Sequence, residues 1–220
     1  MQIPPTFLPS LLVIFLAIGL HEYAHAKVAD MAGDPTPRAM GRVTLNLFRH
    51  FDPVGAMMIL FTTMSGFGIG WGRPVMVNPT KMRNPRWDHF FSVAAGPLSN
   101  IAQALVWAIL FRAVSLFMPS LLTSDFVSYL LILGVMINMS LAFFNLIPLG
   151  PLDGHWLVGA FLRGQAQLKW FVFNRTVGTM LLLGLVLAGQ FSRGAFSPIG
   201  MLVRGPAIFC TRILTGLSLE

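Results

Sequence analysis

Long apolar segments alternate with short polar loops along the chain of 220 residues. A helix needs about 20 consecutive, mostly apolar residues to cross the hydrocarbon core of a bilayer. Several segments reach or approach that length, so the pattern predicts an all-α polytopic membrane protein, a bundle of about five to six transmembrane helices. The apolar segments are 6–28, 54–72, 88–118, 126–147, 170–189 and 196–218.

The second apolar segment, 54–72, differs from the others because it is rich in glycine and has basic loops on both sides. Each glycine lowers the stability of a helix by up to about 1 kcal/mol. We therefore predict a re-entrant segment, either a hairpin or a broken helix, with a plain transmembrane helix as the alternative. Irregular backbone at membrane depth is tolerated where protein buries it or where it lines a cavity. The glycines are Gly55, Gly66, Gly68, Gly70 and Gly72.

The composition agrees with a membrane protein. Hydrophobic residues make up 55% of the chain and charged residues only 10%, whereas a soluble domain has about 25% charged residues. Too few polar side chains are present to cover a soluble core. These proportions exclude a soluble globular protein and a disordered tail. The single cysteine, Cys210, excludes both an intramolecular disulfide and a cysteine-based zinc site.

The net charge of +7 comes largely from basic residues near two loops, 30–53 and 73–87. Short basic loops between apolar segments are typical of the cytoplasmic side of a membrane protein and do not indicate nucleic-acid binding. Residues 1–26 contain no Lys or Arg, so the charged start of a cleavable signal peptide is missing and we expect the first segment to be an anchor. The basic residues that follow this segment place its N-terminus outside. The basic residues concerned are Lys27, Arg38, Arg42, Arg49, Arg73, Lys81, Arg83 and Arg86.

The first apolar segment ends in His21-Glu22-Tyr23-Ala24-His25. On a helix, residues four apart lie on one face, about 6 Å apart along the axis. Two imidazoles in that arrangement can bind one zinc ion, and Glu22 is then placed to take a proton from a bound water. The alternative is a pair of interfacial histidines with Glu22 reaching out to water.

A catalytic zinc ion takes a third protein ligand and keeps a fourth position open. Asp153 is the best candidate for that ligand because it follows the fourth apolar segment in a run interrupted by prolines and glycines. Such residues break a helix and allow a carboxylate to face a cavity. A carboxylate in a plain loop is the alternative. The other acidic candidates are Asp30, Asp34, Asp52, Asp88, Asp125 and Glu220.

These motifs together resemble the site-2 proteases, which are intramembrane zinc metalloproteases. The resemblance rests on His21-Glu22-x-x-His25, on Asn145 eight residues before Asp153-Gly154, and on the runs 72–79 and 95–100. It implies that His21, His25 and Asp153 bind one Zn²⁺ per chain and that Glu22 is the catalytic base. It marks Asn145 and Pro151 as substrate-binding residues.

The resemblance covers about 6–165 and implies one metalloprotease domain over 1–220. Its catalytic core would be about 6–165, followed by C-terminal helices over about 170–220, without a PDZ or regulatory domain. Asn100 is a further candidate: it either reaches the site as a substrate-binding residue or hydrogen-bonds across helices. His50, His89 and His155 are expected at interfaces and not as metal ligands.

Topology provides a separate argument for the re-entrant segment. If 54–72 crossed the membrane completely, Asp153 and His21 would lie on opposite faces and could not share a metal. If it is re-entrant, the two meet near the cytoplasmic side. The stretch 42–47 alternates polar and apolar residues, which predicts a short β element near the active site. Such an element could hold an extended substrate by strand addition.

The predicted function is therefore a zinc endopeptidase in the cell membrane, with its active site near the cytoplasmic side. It would cut peptide bonds within or near transmembrane segments of membrane proteins. Its partners would be a transmembrane protein or peptide and the lipid bilayer, with assembly into a homo-oligomer left open. The alternatives are a metal or ion transporter, which intramembrane His, Glu and Asp residues can also build, and a catalytically silent membrane scaffold.

Overall fold

The computed structural model describes residues 3–65, 70–192 and 196–217, and most of these residues lie in helices. No sheet occurs among them. A π-helical turn, Asn174–Gly178, joins the seventh and eighth helices into one continuous rod. The helices are α1 (Phe7–Met31), α2 (Thr36–Ala39), α3 (Pro53–Ser65), α4 (Trp87–Phe117), α5 (Asp125–Asn145), α6 (Asp153–Phe161), α7 (Gly164–Phe173), α8 (Thr179–Phe191) and α9 (Pro198–Thr215).

Four helical stretches of the described residues are long and apolar enough to cross a membrane: Phe7–Met31, Trp87–Phe117, Asp125–Asn145 and Gly164–Phe191. They confirm a multi-pass membrane protein. The predicted count of five to six spans is not confirmed. The last predicted segment, 196–218, forms α9 and reaches residue 218, which lies outside the described residues. α9 carries two arginines and packs in part through Ala207 against α4 and α5.

Helices α1, α4 and α5 form a bundle in which α4 runs antiparallel to the other two. The imidazole of His25 contacts the backbone of Ser92, whereas eight residues earlier the carbonyl of Ala17 contacts Asn100. Asn100 also bonds to Asn138 on α5. The C-terminal end of α1, the N-terminal end of α4 and the C-terminal end of α5 therefore lie together. This arrangement brings the histidine pair to the level at which the chain leaves α5.

The α3 segment, residues 51–72, starts and ends at the same place. Phe51 and Gly72 form an antiparallel β-bridge, and the amide of Arg73 donates a hydrogen bond of 2.8 Å to the carbonyl of His50. The part of α3 that the structure describes has 13 residues, fewer than the roughly 20 needed for a span. Gly66 and Gly68 of the predicted segment lie in 66–69, outside the described residues.

The strand predicted for 42–47 is not formed, so that part of the prediction is wrong. Residues 43–45 are bends, and Leu47–His50 form a 3₁₀ helix. The backbone curls because His50 Nε2 bonds to the carbonyl of Thr44 at 2.9 Å. The alternation of polar and apolar residues does not reveal such contacts. In the part of the chain that the structure describes, β pairing is limited to the Phe51–Gly72 bridge.

The two basic loops touch each other beside the C-terminal end of α1. The carboxylate of Asp34 accepts a hydrogen bond of 2.6 Å from the amide of Asn78. The amide of Arg83 donates to the carbonyl of Ala32 at 3.1 Å, and its guanidinium donates to the carbonyl of Met31 at 2.8 Å. Loops 30–53 and 73–87 therefore share one end of the bundle, the end that carries the histidine pair.

Candidate metal centre

Three side chains predicted to bind metal lie together at this end of the bundle. The Nε2 atoms of His21 and His25 are 3.0 Å apart, and Asp153 Oδ2 lies 3.3 Å and 3.4 Å from them. Tetrahedral zinc with bonds of about 2.0–2.1 Å requires ligand atoms about 3.3 Å apart. The three side chains could therefore hold one zinc ion. In the described ranges, no other group of three His, Cys, Asp or Glu residues is close enough for this.

The second nitrogen of each imidazole is held by an oxygen atom. His21 Nδ1 lies 2.7 Å from Asn100 Oδ1, and His25 Nδ1 lies 2.8 Å from the carbonyl oxygen of Ser92. Both oxygens accept hydrogen bonds, so we assign the ring proton to Nδ1 in each case. Each Nε2 then keeps a lone pair that can bind a metal ion.

Asn100 belongs to a buried network that connects three helices. Its Nδ2 donates to the carbonyl of Ala17 at 3.2 Å and to Asn138 Oδ1 at 3.0 Å. Asn138 in turn donates to the carbonyl of Gly134 at 2.9 Å. The asparagine thus reaches the site as a partner of His21 and also bonds across helices. Its assignment to substrate binding stays a prediction.

Asp153 is the first residue of α6, and its Oδ2 is buried without a hydrogen-bond partner. A buried acceptor of this kind is costly unless a cation satisfies it. Burial raises the pKa of the Asp153 carboxyl, whereas the neighbouring His25 and His21 lower it. The lowering is the larger effect, so the pKa lies below its ordinary value. A carboxyl group binds a metal ion in its ionised form.

Close packing around two glycines positions the ligands. A Cβ on Gly96 of α4 would overlap His25 Nε2 and lie 2.7 Å from His21 Cε1. A Cβ on Gly154 would overlap the carbonyl oxygens of Leu146 and Ile147 at the end of α5. Gly96 lies in the run 95–100, but its role beside the histidines was not predicted from the sequence. The available signal was a Gly-Pro pair within an apolar segment, where glycine weakens a helix.

Glu22 lies beside the three candidate ligands and lines the same cavity, which has a volume of about 660 Å³. The amide of Val75 donates a hydrogen bond of 3.2 Å to Glu22 Oε2. The residues of 70–77 other than Arg73 form one wall of this cavity. Asn145 and Pro151 also line it, and Asn145 Nδ2 donates to the carbonyl of Leu141 at 3.0 Å.

The profile of peptidase family M50 matches residues 113–188. A Bacillus subtilis (strain 168) protein named "Putative zinc metalloprotease YwhC" is 34% identical over 159 residues, which cover 70% of each chain. This chain belongs to peptidase family M50. No solved structure matches it significantly. The predicted membership of the site-2 protease family is confirmed, and this M50 peptidase is a zinc metalloprotease.

The matched profile covers Asn145, Pro151 and Asp153 but not the histidine pair. In the structure of the M50 peptidase, the histidine pair outside the matched region and Asp153 within it lie in one site. The remaining histidines stay outside the cluster of candidate ligands. His50 and His155 are buried, and His89 lines the cavity.

Proposed function

We propose that this M50 peptidase is an intramembrane endopeptidase that hydrolyses peptide bonds within or near transmembrane segments. One observation carries the proposal: three donor atoms within 3.4 Å of one another share a cavity with Glu22 at the end of an apolar helix. Ionisable residues at such a place are costly and usually serve a function. Neither a transporter nor a silent scaffold explains the glutamate beside the cluster.

His21, His25 and Asp153 would hold one zinc ion per chain. The spacing of the donor atoms and the unsatisfied Asp153 Oδ2 support this set. Bound zinc supplies a Lewis acid for the scissile carbonyl and lowers the pKa of water. Asn100 and the Ser92 carbonyl hold the two imidazoles in the orientation and tautomer that metal binding requires.

Glu22 would carry the proton during hydrolysis. Its carboxylate takes a proton from the attacking water as the oxygen bonds to the scissile carbon, and it then gives that proton to the leaving nitrogen as the C–N bond breaks. The amide of Val75 fixes Oε2.

We further propose that the α3 segment, residues 51–72, is re-entrant and opens to the cytoplasmic side. The Phe51–Gly72 bridge and the short length of α3 support this orientation. So do the contacts between loops 30–53 and 73–87, which carry many basic residues. The protein would lie in the cell membrane with its metal centre near the cytoplasmic face.

The substrate would be a transmembrane protein or peptide whose helix opens locally. A helix hides its carbonyls in hydrogen bonds, so the scissile bond must be extended before water can attack it. The exposed Pro151 and the neighbouring Asn145 face the cavity in which the peptide would lie. The wall formed by 70–77 could bind the extended peptide along its backbone.

The test is cleavage of a transmembrane peptide by the purified protein in lipid vesicles. Glu22→Gln should keep its zinc but lose activity by about 10²–10⁴-fold, because an amide cannot accept the proton. Asp153→Ala should lower the zinc content, whereas Asp125→Ala, an exposed acid at the start of α5, should not. Normal cleavage by Glu22→Gln would refute the hydrolytic role, and normal zinc in Asp153→Ala would refute the ligand set.

A further inference from the structure

Arg42 is a charged side chain in an unusual place, because only 3% of its surface is exposed. No carboxylate lies within salt-bridge distance of it among the described residues. Its guanidinium instead donates to the backbone carbonyls of Arg49 and Arg73, with a longer contact of 3.4 Å to that of Pro74. The sequence assigns Arg42 to one of the two basic loops, and the structure buries its side chain.

These carbonyls lie on the chain directly before and directly after the α3 segment. Arg49 precedes the segment, and Arg73 and Pro74 follow it. A planar guanidinium can bond to several acceptors at once in fixed directions. Arg42 thus links the chain before α3 to the strip that follows it, residues 73–77, beside the Phe51–Gly72 bridge.

The same strip leads directly to Glu22. The residue after Pro74 is Val75, whose amide donates to Glu22 Oε2 at 3.2 Å. Gly72 is packed so closely that a Cβ there would lie 2.6 Å from Ile18 on the preceding turn of α1 and 3.5 Å from Glu22 Oε1. The strip is therefore held by the guanidinium on one side and touches the carboxylate on the other.

Burying a charged side chain costs more free energy than burying a neutral side chain of similar size. A neutral side chain could pack the same loops, so packing alone does not explain a guanidinium at this position. The carbonyl acceptors bind Nη1 and Nη2 of the guanidinium, whereas Nε is buried without a partner. Glu22 attracts the charge of Arg42, and Arg73 repels it. The arrangement is suited to fixing the position of a backbone strip relative to a carboxylate.

We propose that Arg42 is a positioning residue of the protease: it holds the carbonyls of Arg73 and Pro74 so that the Val75 amide stays on Glu22. This inference rests on the proposed role of Glu22 as the base. Without the guanidinium, the strip moves away from α1, and the carboxylate loses the contact that orients it. Displacement of a catalytic group by about 1 Å can cost about 10²-fold in rate.

The experiment compares Arg42→Gln and Arg42→Lys with Arg49→Gln in vesicles containing a transmembrane peptide substrate. Arg49→Gln is the matched control, because it removes an exposed charge from the same loop and leaves its carbonyl in place. We expect Arg42→Gln to keep its zinc and to lose about 10²-fold in kcat, with a much smaller change in KM. Arg42→Lys should recover part of the loss, since an ammonium keeps the charge but not the fork.

Hydrogen exchange distinguishes positioning from general stability. Amides of 73–77 should exchange faster in Arg42→Gln, while those of α4 and the zinc content stay as in the unaltered protein. Loss of zinc with faster exchange throughout the chain would show a purely structural role and overturn the inference. If Arg42→Gln does not fold, Arg42→Lys decides: an unaltered kcat would overturn the inference, and a reduced kcat with full zinc content would support it.

Glu22→Gln, measured in parallel, separates this inference from the function on which it rests. An active Glu22→Gln variant would refute the role of Glu22 and with it the inference about Arg42. An inactive Glu22→Gln variant together with a fully active Arg42→Gln variant would refute only the inference about Arg42.

Discussion

His21 Nδ1 lies 2.7 Å from Asn100 Oδ1, although 79 positions separate the two residues along the chain. This contact fixes one candidate ligand on α1 through a side chain of α4. Because Asn100 is fully buried and also bonds to α1 and α5, it cannot turn away from the imidazole without losing those bonds. The orientation of His21 therefore depends on the packing of three helices.

Replacing Asn100 with leucine should weaken zinc binding without removing a ligand. Loss of the oxygen that holds a metal-binding imidazole typically lowers metal affinity by about 10–100-fold. Asn145→Leu is the control, because its amide bonds only within α5, to the carbonyl of Leu141. Titration with a competing chelator measures both affinities. Equal zinc affinity in the two variants would contradict the role assigned to Asn100.

Gly96→Ala should abolish zinc binding, since the added Cβ would overlap His25 Nε2 and crowd His21. Gly184→Ala is the matched control because a Cβ at Gly184 meets no atom within 4 Å. Alanine favours a helix over glycine by up to about 1 kcal/mol, so neither change weakens its helix. Elemental analysis of the purified variants gives the result. A full zinc content in Gly96→Ala would show that the ligands can move aside.

Asp34 should make the folded protein less stable as the solution becomes acidic. Burial raises the pKa of the Asp34 carboxyl. Hydrogen bonds from Thr36 and Asn78 and the charge of Lys81 lower it by a larger amount, so the pKa lies below its ordinary value. Such a carboxylate stabilises the fold above its unfolded pKa of about 3.9, and this contribution disappears as the pH falls through the folded pKa.

Asp34→Asn should therefore destabilise the protein at pH 6 by roughly 1.5–3 kcal/mol, the range for hydrogen bonds to a charged group. The difference from the unaltered protein should shrink as the pH falls below about 4. Thermal unfolding in detergent over this pH range measures the effect, with Asp125→Asn as an exposed control. A difference that does not change with pH would contradict the contribution of the charge.

Labelling with a membrane-impermeant thiol reagent tests the proposed orientation. Single cysteines replace Met40 and Asn84, both exposed in the two basic loops, in a Cys210→Ser background. A cysteine at Leu121, between α4 and α5, serves as the control for the other face. We expect Met40 and Asn84 to react from the cytoplasmic side and Leu121 from outside. Reaction of Met40 and Asn84 from opposite sides would refute the re-entrant orientation of α3.

The sequence predicts the candidate ligands because their chemistry requires particular residue types at particular spacings. His21 and His25 are recognisable from one turn of helix, and Asp153 from a helix-breaking run. By contrast, the contacts of Asn100 and Gly96 join residues more than 70 positions apart, and periodicity within a segment cannot reveal them. These contacts depend on the way in which α1 and α4 cross.

The wrong prediction of a strand over 42–47 has a local cause. Alternation over 42–47 predicts a strand, but the side chains of Arg42 and His50 bond to nearby carbonyls and curl the backbone. The composition of the last apolar segment, 196–218, leaves open whether it spans the membrane or lies at the interface. In the structure α9 carries Arg204 and Arg212 and is not among the helices apolar enough to cross a membrane.

The α3 segment, residues 51–72, supplies no described hydrogen bond to His21, His25 or Asp153; those bonds come from α1, α4 and α6. Among the described residues, the hydrolytic site and the α3 segment are thus largely separate, and the segment reaches the site cavity through Gly70, Trp71 and Gly72. A chimaera carrying the α3 segment of another M50 peptidase should keep its zinc while accepting a different set of transmembrane peptides. Selectivity could then be engineered without rebuilding the metal centre.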